Sequence, residues 1–263
     1  MTPTPASIWS LETRVLGRRV HVYDSLESTN ALALELSDEP ARHGLVLLAR
    51  EQTAGRGQYG RHWLAPPGSS VLLSMLLFPP PHLRRPPLLT AWAAVSVCET
   101  IRKLVYLTAT IKWPNDILLQ DKKVCGILIE QRTTGHPEFP LAAAVGIGLN
   151  LIQSADDFAG AGLPLAGSLC SQSGIECPLE DAARELIHQL DAHYHSLQDD
   201  HRPLESQWRQ LLGLVGKVVI VEGNNQRHRG RLLDMTLARV SIEIATGESL
   251  HIAPESVLRM GAV

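Results

Sequence analysis

Residues Glu51 to Trp63 read EQTAGRGQYGRHW, and within them Gly55-Arg56-Gly57-Gln58-Tyr59-Gly60 matches G-x-G-x-x-G, the spacing of a dinucleotide-binding turn. The spacing alone is a weak signal. A dinucleotide turn needs a helix directly after the glycines, because the pyrophosphate rests on that helix's N-terminus. Here RHWLAPPGSS follows. Pro66-Pro67-Gly68 cannot open a sustained helix, and the next apolar run, 70–78, reads as a strand. Glu51-Gln52-Thr53-Ala54 also separates the glycines from the preceding strand at 44–50. The dinucleotide reading fails on context, and an oxidoreductase fails with it. What remains is a flexible loop in which glycine amides turn toward an anion and Arg56 and Arg61 supply charge. Such a loop stays mobile until its ligand orders it. An ordinary surface loop with solvated arginines also fits this segment taken alone.

Working outward, the periodicities are mixed. Residues 8–16 suggest a short helix and 19–23 a strand. Ser28-Thr29-Asn30 opens a helix over 31–36 with side chains that cap free N–H groups. The prolines at 79–81 and at 86 and 87 make a stiff connector to a helix over 88–104; a PxxP ligand is the lesser reading. Residues 110–131 read as strand, break, strand, turn, strand, and 141–151 as a further strand. From 179 the apolar positions follow a helical stripe with Glu180 and Asp181 in the first turn, and 208–212 ends the helical region. Short strands at 216–222, 226–234 and a hairpin over 239–252 then suggest a separate small β-barrel of SH3-like size over 214–263. Strands and helices do not alternate regularly, so an α+β fold with a mixed or antiparallel sheet is expected.

The 263 residues allow one large domain and a small one, 1–213 and 214–263. An apolar fraction of 44%, 19% charged residues and a net charge of −3 are ordinary for a globular chain and argue against a binder of duplex DNA. No secretory signal is evident at the N-terminus, and the longest apolar runs are too short and too interrupted to span a membrane. A cytoplasmic protein is expected. Cys98, Cys125, Cys170 and Cys177 have neither metal nor redox spacing and read as reduced thiols. Among eleven histidines, His188, His193 and His195 lack the i, i+4 spacing of zinc helices and read as solvated.

The second informative stretch is Lys112-Trp113-Pro114-Asn115-Asp116. Pro114 holds Trp113 extended, so Lys112 leaves the end of an apolar strand in a defined direction, as a point charge for a phosphate or carboxylate. Asn115 and Asp116 add an amide and a hard oxygen ligand suited to Mg²⁺ or a ribose hydroxyl. P-N-D is also common turn chemistry, and alone the two readings weigh equally.

The combination breaks the tie. Ser28-Thr29-Asn30, the Gln52–Gly57 run, KWPND, Gly126-Ile127-Leu128-Ile129-Glu130 and Gly146-Ile147-Gly148-Leu149-Asn150, in this order, resemble the biotin–protein ligases from about residue 23 to 259. The resemblance implies a catalytic domain of the class II aminoacyl-tRNA synthetase and biotin ligase kind, followed by an SH3-like barrel. It implies formation of biotinyl-5′-AMP from biotin and MgATP, then transfer of biotin to one lysine of a biotin carboxyl carrier protein domain. By resemblance, Ser28, Thr29, Asn30, Gln52, Gly55, Arg56, Gly57, Gln58, Lys112 and Gly126 bind biotin. Arg56, Arg61, Trp63, Lys112, Asn115, Asp116 and Asn150 are expected to bind the nucleotide, Trp63 by stacking, with Asp116 as a magnesium ligand. Lys112 and Arg56 are the expected catalytic cations, since a carboxylate and a triphosphate repel each other. Many relatives read GRGR where this chain has Gln58. A glutamine lacks the fixed charge, so the adenylate is expected to leak faster, as its dissociation rates from wild type and Gln58→Arg will decide.

Some relatives carry an N-terminal DNA-binding domain; about twenty residues before the strand at 19 are too few for one, so no nucleic-acid role is expected. A homodimer is compatible with an edge strand or the barrel. Two rivals remain: a lipoate or octanoyl ligase or transferase of related fold, which would lack KWPND, and a non-catalytic binding module built on the barrel.

Overall fold

Along Ser70–Leu77, SVLLSMLL, every residue is buried, which requires a cover on both faces of that strand. The structure, a computed structural model, supplies both covers and describes residues 3–223 and 226–263. Asn224 and Asn225, inside the expected barrel, lie outside the described residues. The first part of the chain runs β1 (Ser7–Ser10), β2 (Arg19–Leu26), α1 (Thr29–Glu35), β3 (Val46–Gln52), β4 (Ser70–Leu77) and α2 (Pro86–Val105). Then come β5 (Thr110–Lys112), β6 (Asp116–Leu119), β7 (Lys122–Thr133), β8 (Leu141–Asn150), α3 (Ala155–Gly160), α4 (Leu169–Ser173), α5 (Leu179–Asp199) and α6 (Arg202–Leu212). The chain ends with β9 (Val218–Gly223), β10 (Gln226–Met235), β11 (Val240–Ile244), β12 (Ser249–Ile252) and β13 (Arg259–Ala262).

The first eight strands form one mixed sheet in the order β1-β2-β3-β4-β8-β7-β6-β5. Only β2 and β3 pair parallel within it, because α1 carries the chain back between them; the other neighbours are antiparallel. Side-chain alternation then divides the sheet. Val71, Leu73, Met75 and Leu77 of β4 join Val145, Ile147 and Leu149 of β8 in the core beneath α2 and α5. Leu76, Ala142 and Ala144 face α1 on the other side. The last five strands form a second, antiparallel sheet in the order β12-β11-β10-β9-β13, matching the expected SH3-like module. Its inward residues Val219, Val221, Leu232 and Ile242 are continuous with the main core. Glu205 on α6 accepts the Leu237 N–H at 2.7 Å, and Arg209 pairs with Asp234 at 3.2 Å.

Two expectations fail here. Residues 8–16 form no helix: Ser7–Ser10 is an edge strand paired with β2. The N–H groups of Arg14, Val15 and Leu16 go to the buried carboxylate of Asp191 on α5, at 2.7, 2.8 and 2.7 Å. A distant side chain thus replaces the i−4 carbonyls a helix would use. His193 is not solvated either. It is half-buried, its Nδ1 3.0 Å from Ser96 Oγ, and burial lowers its pKa.

Candidate functional site

The face of the sheet opposite α2 carries Gly126, Leu128 and Glu130 on β7, Gly146 and Gly148 on β8, and Leu72 and Ser74 on β4. Register lines these residues up in cross-strand rows. One row runs Leu72, Gly148, Gly126, Asp116, Lys112 through five neighbouring strands. At about 4.8 Å per strand, the Lys112 backbone stands about 10 Å from that of Gly126. A second row runs Ser74, Gly146, Leu128.

The glycines of the first row leave a flat floor, and Trp63 lies on it. A Cβ on Gly148 would come 2.5 Å from Trp63 Cε2, and one on Gly126 2.8 Å from its Cζ3. The buried Trp63 Nε1–H meets no acceptor among the described residues. Lys123 Nζ stands 5.8 Å from the centre of the indole and 2.6 Å from Asp116 Oδ1. The carboxylate expected to hold magnesium is therefore committed to an ammonium. Among the described residues, no group of three His, Cys, Asp or Glu side chains comes together to hold a metal. The described residues therefore build no all-protein magnesium cage.

The second row supports a polar network. Thr29 N–H donates to Gln52 Oε1 at 2.7 Å. Ser74 Oγ lies 2.6 Å from both Thr29 Oγ1 and Asn30 Oδ1. Asn30 Nδ2 faces two acceptors, Leu128 O at 3.3 Å and Glu130 Oε2 at 2.8 Å. A hydroxyl has a single proton. Asn30 Oδ1 has none, so Ser74 donates to Asn30, and the one proton of the Thr29 hydroxyl has two acceptors in reach, Ser74 Oγ at 2.6 Å and Gln52 Oε1 at 3.0 Å. Ser28 caps α1, its Oγ accepting from Ala31 N–H at 3.4 Å, which leaves the hydroxyl proton free to donate into the cleft.

The glycine-rich loop is a hairpin. Arg56 and His62 form a bridge, Gly57 N–H donates to Arg61 O at 2.7 Å, and Trp63 N–H donates to Gly55 O at 3.0 Å. Tyr59 (φ 58°) and Gly60 (φ 73°) turn it in the left-handed region. The amides of Gly57 and Trp63 close the hairpin instead of facing an anion. Nor is Arg56 a free cation: its Nη1 donates to Glu130 Oε1 at 3.0 Å.

Ser28, Thr29, Asn30, Gln52, Arg56, Gly57, Gln58, Arg61, Trp63, Lys112, Asn115, Asp116, Gly126 and Asn150 all line one cleft of ≈ 1000 Å³. Gly55 does not line it; it is buried at the base of the hairpin, where a Cβ would come 2.5 Å from Trp63 O. Lys112 makes no ion pair among the described residues. Asn115 and Asn150 brace the walls: Asn115 Nδ2 donates to Ile127 O at 2.6 Å, and Asn150 Nδ2 to Gly167 O at 2.9 Å. Sequence reasoning missed Lys123, Ser74, Arg227 and Arg259, which line the same cleft. For Lys123 the reason is a bulge. Opposite Ile117 and Leu118 the register of β7 shifts, putting Val124 and Cys125 both in the core, so simple alternation assigns Lys123 the wrong face.

One mixed sheet thus carries a cleft with a glycine floor, a neutral polar end and a cationic end. Residues 22–150 match the model of the Biotin/lipoate A/B protein ligase family. Biotin--[acetyl-CoA-carboxylase] ligase of Paracoccus denitrificans is 33% identical over 211 residues, covering 78% of this chain and 85% of that protein. The chain belongs to this family. Bifunctional ligase/repressor BirA of Bacillus subtilis is 37% identical over 166 residues, 63% of this chain but only 50% of BirA; the chain spans about half the length of the first curated relatives it matches. The structure of biotin protein ligase from Aquifex aeolicus in complex with biotin and ATP superposes with a TM-score of 0.77 at 22% identity, over 93% of this chain and 99% of that one.

Proposed function

We propose that the chain is an ATP-dependent biotin–protein ligase that makes biotinyl-5′-AMP and passes the biotinyl group to a lysine of a biotin carboxyl carrier protein domain. The observation that carries this reading is the shared cleft of Arg56, Lys112, Lys123 and the Ser28–Asn30 segment. One end is polar and neutral, the other cationic. A ureido ring presents one carbonyl and two N–H groups. Ser28, with its proton free, donates to the carbonyl, while Thr29, its proton given to Ser74 or Gln52, accepts from an N–H. A dithiolane ring offers neither group and would leave these side chains unmatched, which disfavours a lipoate substrate.

In the first step a carboxylate oxygen of biotin attacks the α-phosphorus, the bond to the β-phosphate oxygen breaks, and pyrophosphate leaves. The barrier is the approach of two anions. Lys112 at the end of β5, with no ion-pair partner among the described residues, and Lys123 on β7, its ammonium shared with Asp116, place positive charge beside the glycine floor where those anions meet. In the second step the carrier lysine, as free amine, attacks the acyl carbon, AMP leaves, and the amine loses a proton. No covalent enzyme intermediate is required. Residues 1–213 bind and react; residues 214–263, through Arg227 and Arg259, close the cleft. The test is biotin-dependent ATP–pyrophosphate exchange. Wild type is expected to exchange, Lys112→Ala to lose exchange with its fold intact, and Lys123→Ala to fall on the order of 100-fold. Unimpaired exchange by Lys112→Ala refutes the role given to it.

A further inference from the structure

We propose that Glu130 is a positioning residue through which the ring-recognition segment aims Arg56. The proposal rests on the ligase reading. Glu130 stands on the cleft face of β7 but does not line the cleft; it lies behind Arg56. Its two oxygens are divided between two partners: Oε1 accepts from Arg56 Nη1 at 3.0 Å, and Oε2 from Asn30 Nδ2 at 2.8 Å. Asn30 is fixed at its other end by Ser74 and occupies the space a Gly146 side chain would need, with a built Cβ 2.4 Å from Asn30 Oδ1. A continuous path therefore runs Thr29, Ser74, Asn30, Glu130, Arg56. It joins α1 to a hairpin that is otherwise closed mainly by its own backbone.

The Arg56–Glu130 pair is partly exposed, 43% and 25% at the two side chains, and such pairs add little to stability. Orientation is what it supplies. A guanidinium has five N–H groups. With one held by Glu130, the head of the side chain is tethered at the cleft, the other N–H groups remain for an anion, and Asn30 holds the carboxylate that does the tethering. The opposite reading is a latch, in which Glu130 only neutralises Arg56 until an anion displaces it. The two differ in sign. Removing a latch speeds the reaction; removing a positioning residue slows it.

The experiment measures biotin affinity by calorimetry without nucleotide, and biotin-dependent exchange, for wild type and four variants. These are Glu130→Ala, Glu130→Gln, Arg56→Ala and the double variant Glu130→Ala/Arg56→Ala. Glu130→Ala is expected to lower exchange about tenfold or more and to add no more than about twofold to the loss in Arg56→Ala. Glu130→Gln keeps an oxygen for Asn30 and loses the charge facing Arg56. It is expected to hold biotin affinity within about twofold while lowering exchange, a split that a purely structural role does not produce. Trypsin should cut after Arg61 faster in Glu130→Ala than in wild type. Faster exchange or tighter biotin binding in Glu130→Ala overturns the proposal, as do additive losses in the double variant. Wild type inert in exchange overturns the ligase reading and this inference together; active wild type with indifferent Glu130 variants overturns this inference alone.

Discussion

The indole N–H of Trp113 donates to the main-chain oxygen of Val257 across 2.9 Å, tying the end of β5 to the last turn before β13. The same ring meets Trp208 of α6 with centroids 6.0 Å apart. Lys112, one residue earlier, is thereby referenced to the second sheet. Trp113→Phe keeps most of the packing and strands the Val257 carbonyl, at a cost of about 1–3 kcal/mol. The expected result is a lower Tm together with a KM for ATP that rises more than the KM for biotin. A change confined to biotin would mean that the second sheet does not hold Lys112.

Gly148→Ala puts a methyl group where Trp63 lies, 2.5 Å from its Cε2. Backbone cannot yield there, so the indole leaves. Its fluorescence is expected to shift to the red as it meets water, and nucleotide affinity to fall about tenfold or more if it stacks on the base. Stability should change by about 1–3 kcal/mol, as for other overpacked sites. An unmoved spectrum would place the indole elsewhere.

Asp191 accepts three consecutive backbone N–H groups from residues 14–16. Asp191→Ala leaves all three without their acceptor in a part-buried site. A loss on the order of 3 kcal/mol is expected in urea unfolding, with exchange activity unchanged in the fraction that remains folded. A loss below about 0.5 kcal/mol would show that water satisfies this turn.

The Nδ1 of His43 accepts the Phe78 N–H at 3.0 Å, and burial lowers its pKa. Protonation would remove that acceptor and place charge in a half-buried setting. The unfolded chain, titrating near 6.5, therefore binds more protons than the folded one as the pH falls. Stability is full above about pH 6.5 and declines through the lowered folded pKa. His193 acts with the same sign. Melting temperatures between about pH 8 and pH 5 should fall on acidification, and less steeply in His43→Gln; a rise would contradict the assignment.

Local signals made much of this legible. The strands from 110 to 131 declared themselves by turn residues, and KWPND with the glycine-rich loop located the cleft. What was hidden is non-local. Residues 8–16 lost their helix to a carboxylate more than 170 residues away. Arg56 read as a free cation because its partner lies 74 residues on. Lys123 was missed because a bulge changes the face it shows, and no periodicity in one strand reports a register fixed by its neighbour.

The bare patch of sheet beneath Trp63 has a design consequence. Where a floor has no side chains, the space above it belongs to whatever lies there, and here that is one aromatic ring. Trimming that ring would open the space above the glycines without disturbing a strand. The opposite end, where Thr29, Gln52, Asn30 and Ser74 are linked by hydrogen bonds, offers no comparable single-site change.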